Sequence, residues 1–542
     1  MRMPTHVIRA RASRGDASAA HTDIDRSPDT IARYLEDAAH FPGGRADGVA
    51  RPGSEAEVAH VMQVATHVLP IGAQSSVTGG ATPAGGLVLS TGRLLSFQEA
   101  GREHVRAGAG ITIDALQELL TPAGRWYAPF PTFTGATVGG VVSTNAAGAA
   151  TFKYGTTRDW VDALTVVLAC GCVLDLERGH VRAASHTGFE LRCAHGDRRF
   201  RPGTYAMPAV PKCSAGYFAA PQMDLIDLFI GAEGTLGVVV DATLRVLATR
   251  PPTAFVLVPM PSEATAVALV GDLRDRARET WTRRDPQGID IAAVEHLDRR
   301  CLELLREDGT DRRLGITLPD AAALALLIQL ELAPGTSERD TFDEIAAAGE
   351  GRAPDTRLGR FCERLREHGA FAGAEIALPG HRARAAQMLA FREAAPIAVN
   401  HRVGEARRKV DPRIDKTAAD MIVPFDRLGE MLAIYRDGYA RRGLDYAIWG
   451  HFSDGNVHPN VIPRTYEDVV AGRELILEFG REATRLGGCP LAEHGVGCST
   501  LKQRLLRELY GAAGIEQMRA VKRVLDPAWK LAPGVLFERE AG

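Results

Sequence analysis

The chain has 542 residues, a formal net charge of −3, 45% hydrophobic residues and 24% charged residues. That composition excludes a disordered or fibrous chain, and the length suggests roughly two to four domains. Charges of both signs are interspersed, which excludes the footprint of a nucleic-acid binder, and no apolar run reaches the ~18 residues of a membrane span.

The run Met1–Asp16 is basic and polar with no apolar core, so no secretory signal is read there. A cytoplasmic location is expected, with peripheral attachment to the inner membrane left open. The eight cysteines are too sparse for a disulfide framework. Cys170-Gly171-Cys172 is the one close pair, no C-x-x-C occurs, and reduced, mostly buried thiols are expected. Seven lysines stand against fifty-seven arginines, and there are four asparagines. Where these rare residues occur, substitution by convenience is a weaker explanation.

In chain order, residues 1–45 form a lead-in with one expected helix, Ser27–Ala39, entered through Ser27-Pro28-Asp29. Ser54-Glu55-Ala56-Glu57 has capping-box spacing before an amphipathic stripe. Strand Val68–Ile71 runs into the glycine-rich turn 72–80, and Leu87-Val88-Leu89 is a second strand. Helix Thr112–Leu120 and a Pro- and aromatic-rich loop, Tyr127–Gly135, precede the small-residue run 136–148. Val161–Leu174 reads as strand with a Gly turn, and residues 176–224 as an insertion or long loop. Phe229–Val240 reads as a glycine-punctuated strand.

Arg250-Pro251-Pro252-Thr253 marks a boundary. Beyond it, strands (Ala254–Val258, Ala447–Gly450) alternate with helices expected at 263–278, 318–331 in part, 379–398 and 468–486. A helical tail, Gln503–Asp526, follows. The domains read as a lead-in over 1–45, a first domain over 46–250, a second α+β domain over 251–490, and a segment over 491–542.

Glycine-rich turns after strands hold phosphates on backbone N–H groups. Three occur, at 72–80, 135–148 and 231–237, and none has P-loop or Rossmann spacing. Three such turns with Ser and Thr interleaved point to a large phosphorylated cofactor. The run Pro70–Gly80 resembles the first pyrophosphate loop of the flavin fold shared by vanillyl-alcohol oxidase and p-cresol methylhydroxylase. Thr137–Asn145 with Lys153–Asp159 resembles its second segment, and Gly231–Gly237 its third. The resemblance spans nearly the whole chain. It implies FAD, held by Pro70, Gly72, Ala73, Gln74, Ser75, Ser76, Thr78 and Gly79 of the first loop. Pro131 and Thr132 of the aromatic loop join them, with Thr137, Val138, Gly140, Ser143, Asn145, Gly148, Tyr154, Gly155 and Thr157 of the second segment. Glu233, Gly234, Gly237 and Val238 come from the third. It implies an α+β fold, with a two-subdomain FAD-binding domain of the p-cresol methylhydroxylase type and an α+β, ferredoxin-like substrate cap. Relatives carry three glycines where this chain has Gly72-Ala73-Gln74, often Asn at Cys213, and usually Asn at Ala532. No His lies in residues 70–80, so non-covalent FAD is expected.

The run Gly450-His451-Phe452-Ser453-Asp454-Gly455-Asn456-Val457-His458-Pro459-Asn460 carries candidate chemistry. Asp454-Gly455 is a two-residue hairpin signal that sets His451 opposite His458, Cβ atoms ~5 Å apart. Glu493-His494 lies in a Gly-rich turn, and two His plus one Glu is a catalytic metal pattern. These segments resemble the FAD-linked 2-hydroxyacid dehydrogenases, the group with D-lactate, glycolate and D-2-hydroxyglutarate dehydrogenases. The resemblance implies a divalent metal (zinc first, manganese or iron as alternatives) on His451, His458 and Glu493, with His494 as catalytic base. Asn460, Arg392 and Lys416 are candidates for the substrate carboxylate.

The expected reaction is oxidation of a small 2-hydroxy acid to the 2-oxo acid with hydride transfer to flavin. Electrons would pass to a quinone, cytochrome, electron-transfer flavoprotein or iron–sulfur subunit, and a homodimer is left open. The Arg-rich stretch 176–210 would cover the substrate entrance or dock the acceptor. The alternatives are a non-redox flavin enzyme resembling alkylglycerone-phosphate synthase, an electron-transfer subunit, an oxygen-using oxidase, and a scaffold without flavin.

Overall fold

The computed structural model describes residues 5–14, 22–129 and 131–537, so residues 1–4 and 15–16 of the Met1–Asp16 run lie outside it. The chain divides into two units, one of residues 1–148, 155–249 and 491–542, the other of residues 149–154 and 250–490.

In the first unit, short apolar runs pair into a sheet ordered Ile24–Asp25, Gly48–Ala50, Leu87–Ser90, Val68–Ile71. The last three strands are parallel, and parallel neighbours need a crossover. Helix Glu55–Val64 supplies it. Ser54 Oγ accepts from Glu57 N–H at 3.2 Å, but the Glu57 carboxylate accepts from Gly53 N–H rather than completing the box. A second, antiparallel sheet is ordered Val173–Glu177, Val161–Val167, Val238–Arg245, His104–Gly108, Phe97–Glu99.

Helix Thr500–Leu525 ends at a buried ion pair. Lys522 Nζ donates to Asp526 Oδ2 (2.7 Å), Thr235 O (2.7 Å) and Leu531 O (2.8 Å). The segment after it adds to the sheet edge: Val68 N–H donates to Lys530 O, and Ala532 N–H to Val68 O. Ala532 sits at φ 43°, a left-handed position where Asn is at home and Ala is strained.

Four expectations change. The lead-in helix is only Pro28–Ala32, because residues 36–38 are recruited to the glycine-rich turn. Gln74 Nε2 donates to Glu36 O, Ala38 N–H to Gln74 O, and Gly79 N–H to Asp37 Oδ2. Residues 226–229 are helix and 230–237 turn, with the strand starting at Val238. The stretch 176–224 is not all loop: Phe189–Arg192 and Arg198–Phe200 form a sheet with Val7–Arg9. Finally, Leu324–Glu331 is a strand, not helix. It lies between two strands in a sheet centre, where an unbroken apolar run is favoured.

The second unit is built on that sheet. Seven antiparallel strands run Glu375–Ala377, Thr253–Met260, Leu324–Glu331, Ile291–Asp298, Tyr446–His451, Asn456–Val461, Met421–Ile422. One face buries Phe255, Leu257, Leu297, Leu327 and Trp449 together with Met388, Phe391, Ala395 and Val399 of helix Arg382–Lys409.

Lys522→Met leaves the fully buried Asp526 carboxylate without its cation. It is expected to cost about 3–5 kcal/mol in denaturant unfolding, with partial recovery in Lys522→Met/Asp526→Leu. An unchanged midpoint for the single variant would show that the pair does not hold the C-terminal segment.

Candidate active site

In the first unit a cavity of about 340 Å³ is lined by the 70–81 turn, residues from 131–147 and 233–239, and Glu493 and His494. Its wall carries Ser75, Ser76, Thr78, Thr132, Thr137 and Ser143 hydroxyls, and among the described lining residues there is no Lys or Arg. A phosphate there would depend on N–H and hydroxyl donors, as glycine-rich loops provide. A Cβ on Gly72 would meet Thr137 Oγ1 at 2.3 Å, so the close approach of the two segments requires glycine. Gln74 takes φ 55° and reaches Glu36, which places its amide on a neighbouring carbonyl.

Two buried carboxylates fix the turn that carries His494. Glu233 accepts from Val496 N–H (2.8 Å) and Gly497 N–H (2.9 Å). Burial pushes its carboxyl up to about 7 against those two bonds and Lys502. Glu493 pairs with the fully buried Lys212 (Nζ–Oε2 3.1 Å). The register is set by Ser214, whose N–H donates to Leu491 O and whose Oγ accepts from Gly495 N–H at 3.1 Å. His494 is half-buried, its Nε2 3.6 Å from Glu493 Oε1.

In the second unit the hairpin is longer than expected. His451 pairs with Asn456, Gly450 with Val457 and Trp449 with His458. Residues 452–454 form a 3₁₀ turn closed by Gly455 at φ 82°. The extra residues are held by the next strand: Val294 N–H donates to Ser453 Oγ, and Phe452 stacks on His296 at 4.9 Å. His451 and His458 are therefore diagonal neighbours rather than partners. A two-residue offset keeps them on one face, with ring centroids 5.6 Å apart and perpendicular. The same period places Asn456 and Asn460 there.

Strand pairing brings Glu295 opposite His451, and Glu295 Oε1 lies 2.9 Å from His451 Nδ1. Its Oε2 accepts from Arg392 Nε at 2.9 Å and forms an ion pair with Nη2 at 2.9 Å. Burial alone would raise the Glu295 carboxyl, but Arg392 and His451 outweigh it and bring it down to about 2. A His that donates from Nδ1 to a carboxylate keeps its lone pair on Nε2. Asp420 lies beside His458 (Oδ1–Nδ1 3.5 Å) and accepts from Asn456 Nδ2 at 3.2 Å. Asn460 is buried, its Nδ2 donating to His458 O, with no partner for Oδ1 among the described residues. Lys416 is exposed.

Of the residues expected to hold FAD, Pro70, Gly72, Ala73, Gln74, Ser75, Ser76, Thr78, Pro131, Thr132, Thr137, Gly140, Ser143, Glu233, Gly234, Gly237 and Val238 line the cavity. Gly79, Val138, Asn145, Gly148, Gly155 and Thr157 do not. Asn145 instead accepts from Arg158 N–H, and Thr157 Oγ1 donates to Ala146 O. Tyr154 belongs to the second unit, where its hydroxyl donates to Glu331. His451 and His458 lie in the second unit, and Glu493 and His494 in the first. Sequence reasoning missed Lys212, Glu295 and Asp420 as site residues. The signals were a rare lysine, and acids inside otherwise apolar strands.

Residues 46–177 match the FAD binding domain family and residues 260–536 the FAD linked oxidases, C-terminal domain. The chain is 30% identical over 503 residues to D-2-hydroxyglutarate dehydrogenase of Xanthomonas citri pv. viticola, covering 90% of this chain and 89% of the relative. It is 28% identical to the glycolate oxidase subunit GlcD of Bacillus subtilis, covering 91% and 90%. Among solved structures it resembles 4-ethylphenol oxidase from Gulosibacter chungangensis, with a TM-score of 0.62 and 15% identity over 95% of this chain and 94% of that one. The chain belongs to the FAD-linked oxidases whose members include 2-hydroxyacid dehydrogenases, and it is an FAD-dependent oxidoreductase.

A raised carboxyl pKa makes the folded state bind its proton more tightly than the unfolded chain does. The Glu233 contribution is thus full below ~4.5 and lost as pH rises through about 7. In urea titrations from pH 5 to 8, Glu233→Gln should flatten that decline, and an unaltered slope would remove Glu233 as its source.

Proposed function

We propose that this protein oxidises a small 2-hydroxy acid, of the D-lactate, glycolate or D-2-hydroxyglutarate type, to the 2-oxo acid. The observation that carries the reading is His494. Its half-buried ring lines the cavity of the FAD-binding unit and is held by a turn that Glu233 and Lys212–Glu493 anchor. The 70–81, 131–147 and 233–239 segments would hold FAD, which would supply the hydride acceptor for C2 of the substrate.

In this proposal His494 takes the proton of the 2-hydroxyl, which needs a base within hydrogen-bond reach. Arg392 and Asn460 bind the substrate carboxylate. Glu295 occupies Nε and Nη2 of Arg392, so Nη1 is the donor assigned to substrate. Lys416, exposed on the approach to the Asp420 strand, is assigned to the carboxylate of incoming acid. His451, His458 and Glu493 are the proposed metal ligands. The donor set fits: His451 has its tautomer fixed by a buried carboxylate, as metal-bound imidazoles usually do, and His458 stands beside Asp420. A divalent ion, zinc first, would supply Lewis-acid polarisation of the hydroxyl. The electron acceptor is proposed to be a separate redox partner rather than oxygen.

Anaerobic mixing of metal-replete protein with D- and L-2-hydroxy acids should bleach flavin absorbance with one of them. His494→Ala is expected to keep FAD and slow that bleaching by about 10²–10⁴-fold. Chelation should suppress it and zinc or manganese restore it. Bleaching by no acid would overturn the substrate class, and normal bleaching in His494→Ala would remove the base.

A further inference from the structure

Three of the eight cysteines converge in the first unit, away from the flavin cavity. Strands Val161–Val167 and Val173–Glu177 pair with Val167 opposite Val173. The connecting turn is closed by Leu168 N–H to Cys172 O (2.8 Å) and Gly171 N–H to Leu168 O (2.9 Å). Gly171, at φ 82°, is the residue that lets the chain reverse there, and Cys170 and Cys172 flank it. The third thiol comes from a different element. Cys193 follows strand Phe189–Arg192 and opens a turn closed by Gly196 N–H to Cys193 O. The two elements are held in register by the Val7–Arg9 strand, which pairs with Phe189–Arg192, and by Arg11, which bridges to Val173.

The sulfurs are close. Cys193 Sγ is 3.3 Å from Cys172 Sγ and 3.7 Å from Cys170 Sγ, and all three lie within 4.8 Å of one another. Four sulfurs at 2.3 Å from a tetrahedral zinc stand about 3.8 Å apart along each edge. Three corners of such a tetrahedron are therefore near their places. Cys172 is buried while Cys170 and Cys193 are half-buried, which leaves the fourth corner towards solvent. Burial raises the Cys170 thiol overall, and two groups act against it. The Cys172 backbone N–H is directed at the Cys170 sulfur, and the Lys530 ammonium, bonded to Met62 O and Ala169 O, lies close enough to Cys170 to feel its charge.

We propose that Cys170, Cys172 and Cys193 form a three-thiolate site for a zinc ion whose fourth ligand is water or a small exogenous thiol. Binding displaces the thiol protons to solvent, and no electron moves. Without the metal, burial and the neighbouring sulfurs push the Cys172 thiol up to about 12. The site ties the hairpin turn to the end of the Phe189–Arg192 strand, at the edge of the Arg-rich stretch. It is independent of the proposed hydroxy-acid chemistry, whose metal ligands are nitrogen and oxygen.

The test compares FAD-loaded wild-type protein with Cys170→Ser/Cys193→Ser, both half-buried positions that tolerate the hydroxyl. After reduction and incubation with zinc under anaerobic conditions, wild type should retain one more zinc per chain than the variant by elemental analysis. FAD content and substrate bleaching should be equal in the two. Zinc should also slow alkylation of Cys193 by roughly tenfold or more in site-resolved mass spectrometry, since the reactive thiolate is then bound. Equal zinc content would overturn the proposal, as would unprotected Cys193. Recovery of Cys193 disulfide-linked to Cys170 or Cys172 after zinc loading would overturn it in favour of a redox pair.

Discussion

A carboxylate taken out of water stays ionised only if cations or N–H groups face it, and that requirement organises both units. In the first unit, Asp526 is met by Lys522 and by the Lys530 and Leu531 N–H groups, and Glu493 by Lys212. In the second, Glu295 is met by Arg392 and His451 from a helix and a neighbouring strand. Glu493–Lys212 and Glu295–Arg392 join segments far apart in sequence, whereas Lys522–Asp526 spans one helical turn and reaches a distant segment through Thr235 O. Replacing such a pair with apolar residues would often be neutral for stability, so their value lies in position. Lys522 holds the Gly231–Gly237 turn through Thr235 O, and Glu233 of the same turn holds the turn of His494. The wall of the flavin cavity is thereby connected to the candidate base by buried polar contacts.

The same unit shows why a glycine-rich loop tolerates side chains. Gln74 accepts a left-handed backbone because its amide and carbonyl both find partners in residues 36–38. A triglycine would have more freedom in the unfolded chain and no such tie. The loop is stiffened by the lead-in, and the lead-in loses most of its helix in exchange. Local propensity at 33–39 favours helix, but the tertiary bonds of Asp37 and Gln74 decide the outcome.

That competition also sets what could be read from residues alone. Strands Val68–Ile71 and Tyr446–His451, helix Glu55–Val64 and the three glycine-rich turns follow from periodicity, caps and composition. The Leu324–Glu331 strand does not, because a short apolar run fits a buried helix or a central strand equally well. The hairpin register was out of reach for a related reason. Asp-Gly signals a two-residue turn, yet Ser453 and Phe452 are bound by the adjacent strand, through Val294, 159 residues away in sequence, and His296. Both histidines were legible as one-face neighbours, but Glu295, which sets the tautomer of His451, was hidden in an apolar segment. Lys212 was legible in principle, since a chain that uses Arg almost throughout kept a lysine there. Its stretch reads as a loop, and so drew no attention.

Charge balance on the second unit's polar face bears on the chemistry. Glu295 and Asp420 are buried carboxylates, Arg392 of helix Arg382–Lys409 is the buried guanidinium that meets Glu295, and His451 and His458 are titratable rings beside them. Glu295 and Arg392 offset each other, and Asp420 stands beside His458 and accepts from Asn456. In the proposed reading, a divalent ion on His451 and His458 would offset part of the charge of an incoming 2-hydroxy carboxylate. An arginine such as Arg392 can pair with that carboxylate but cannot polarise the hydroxyl, and that polarisation is what a metal would add to the proposed reaction.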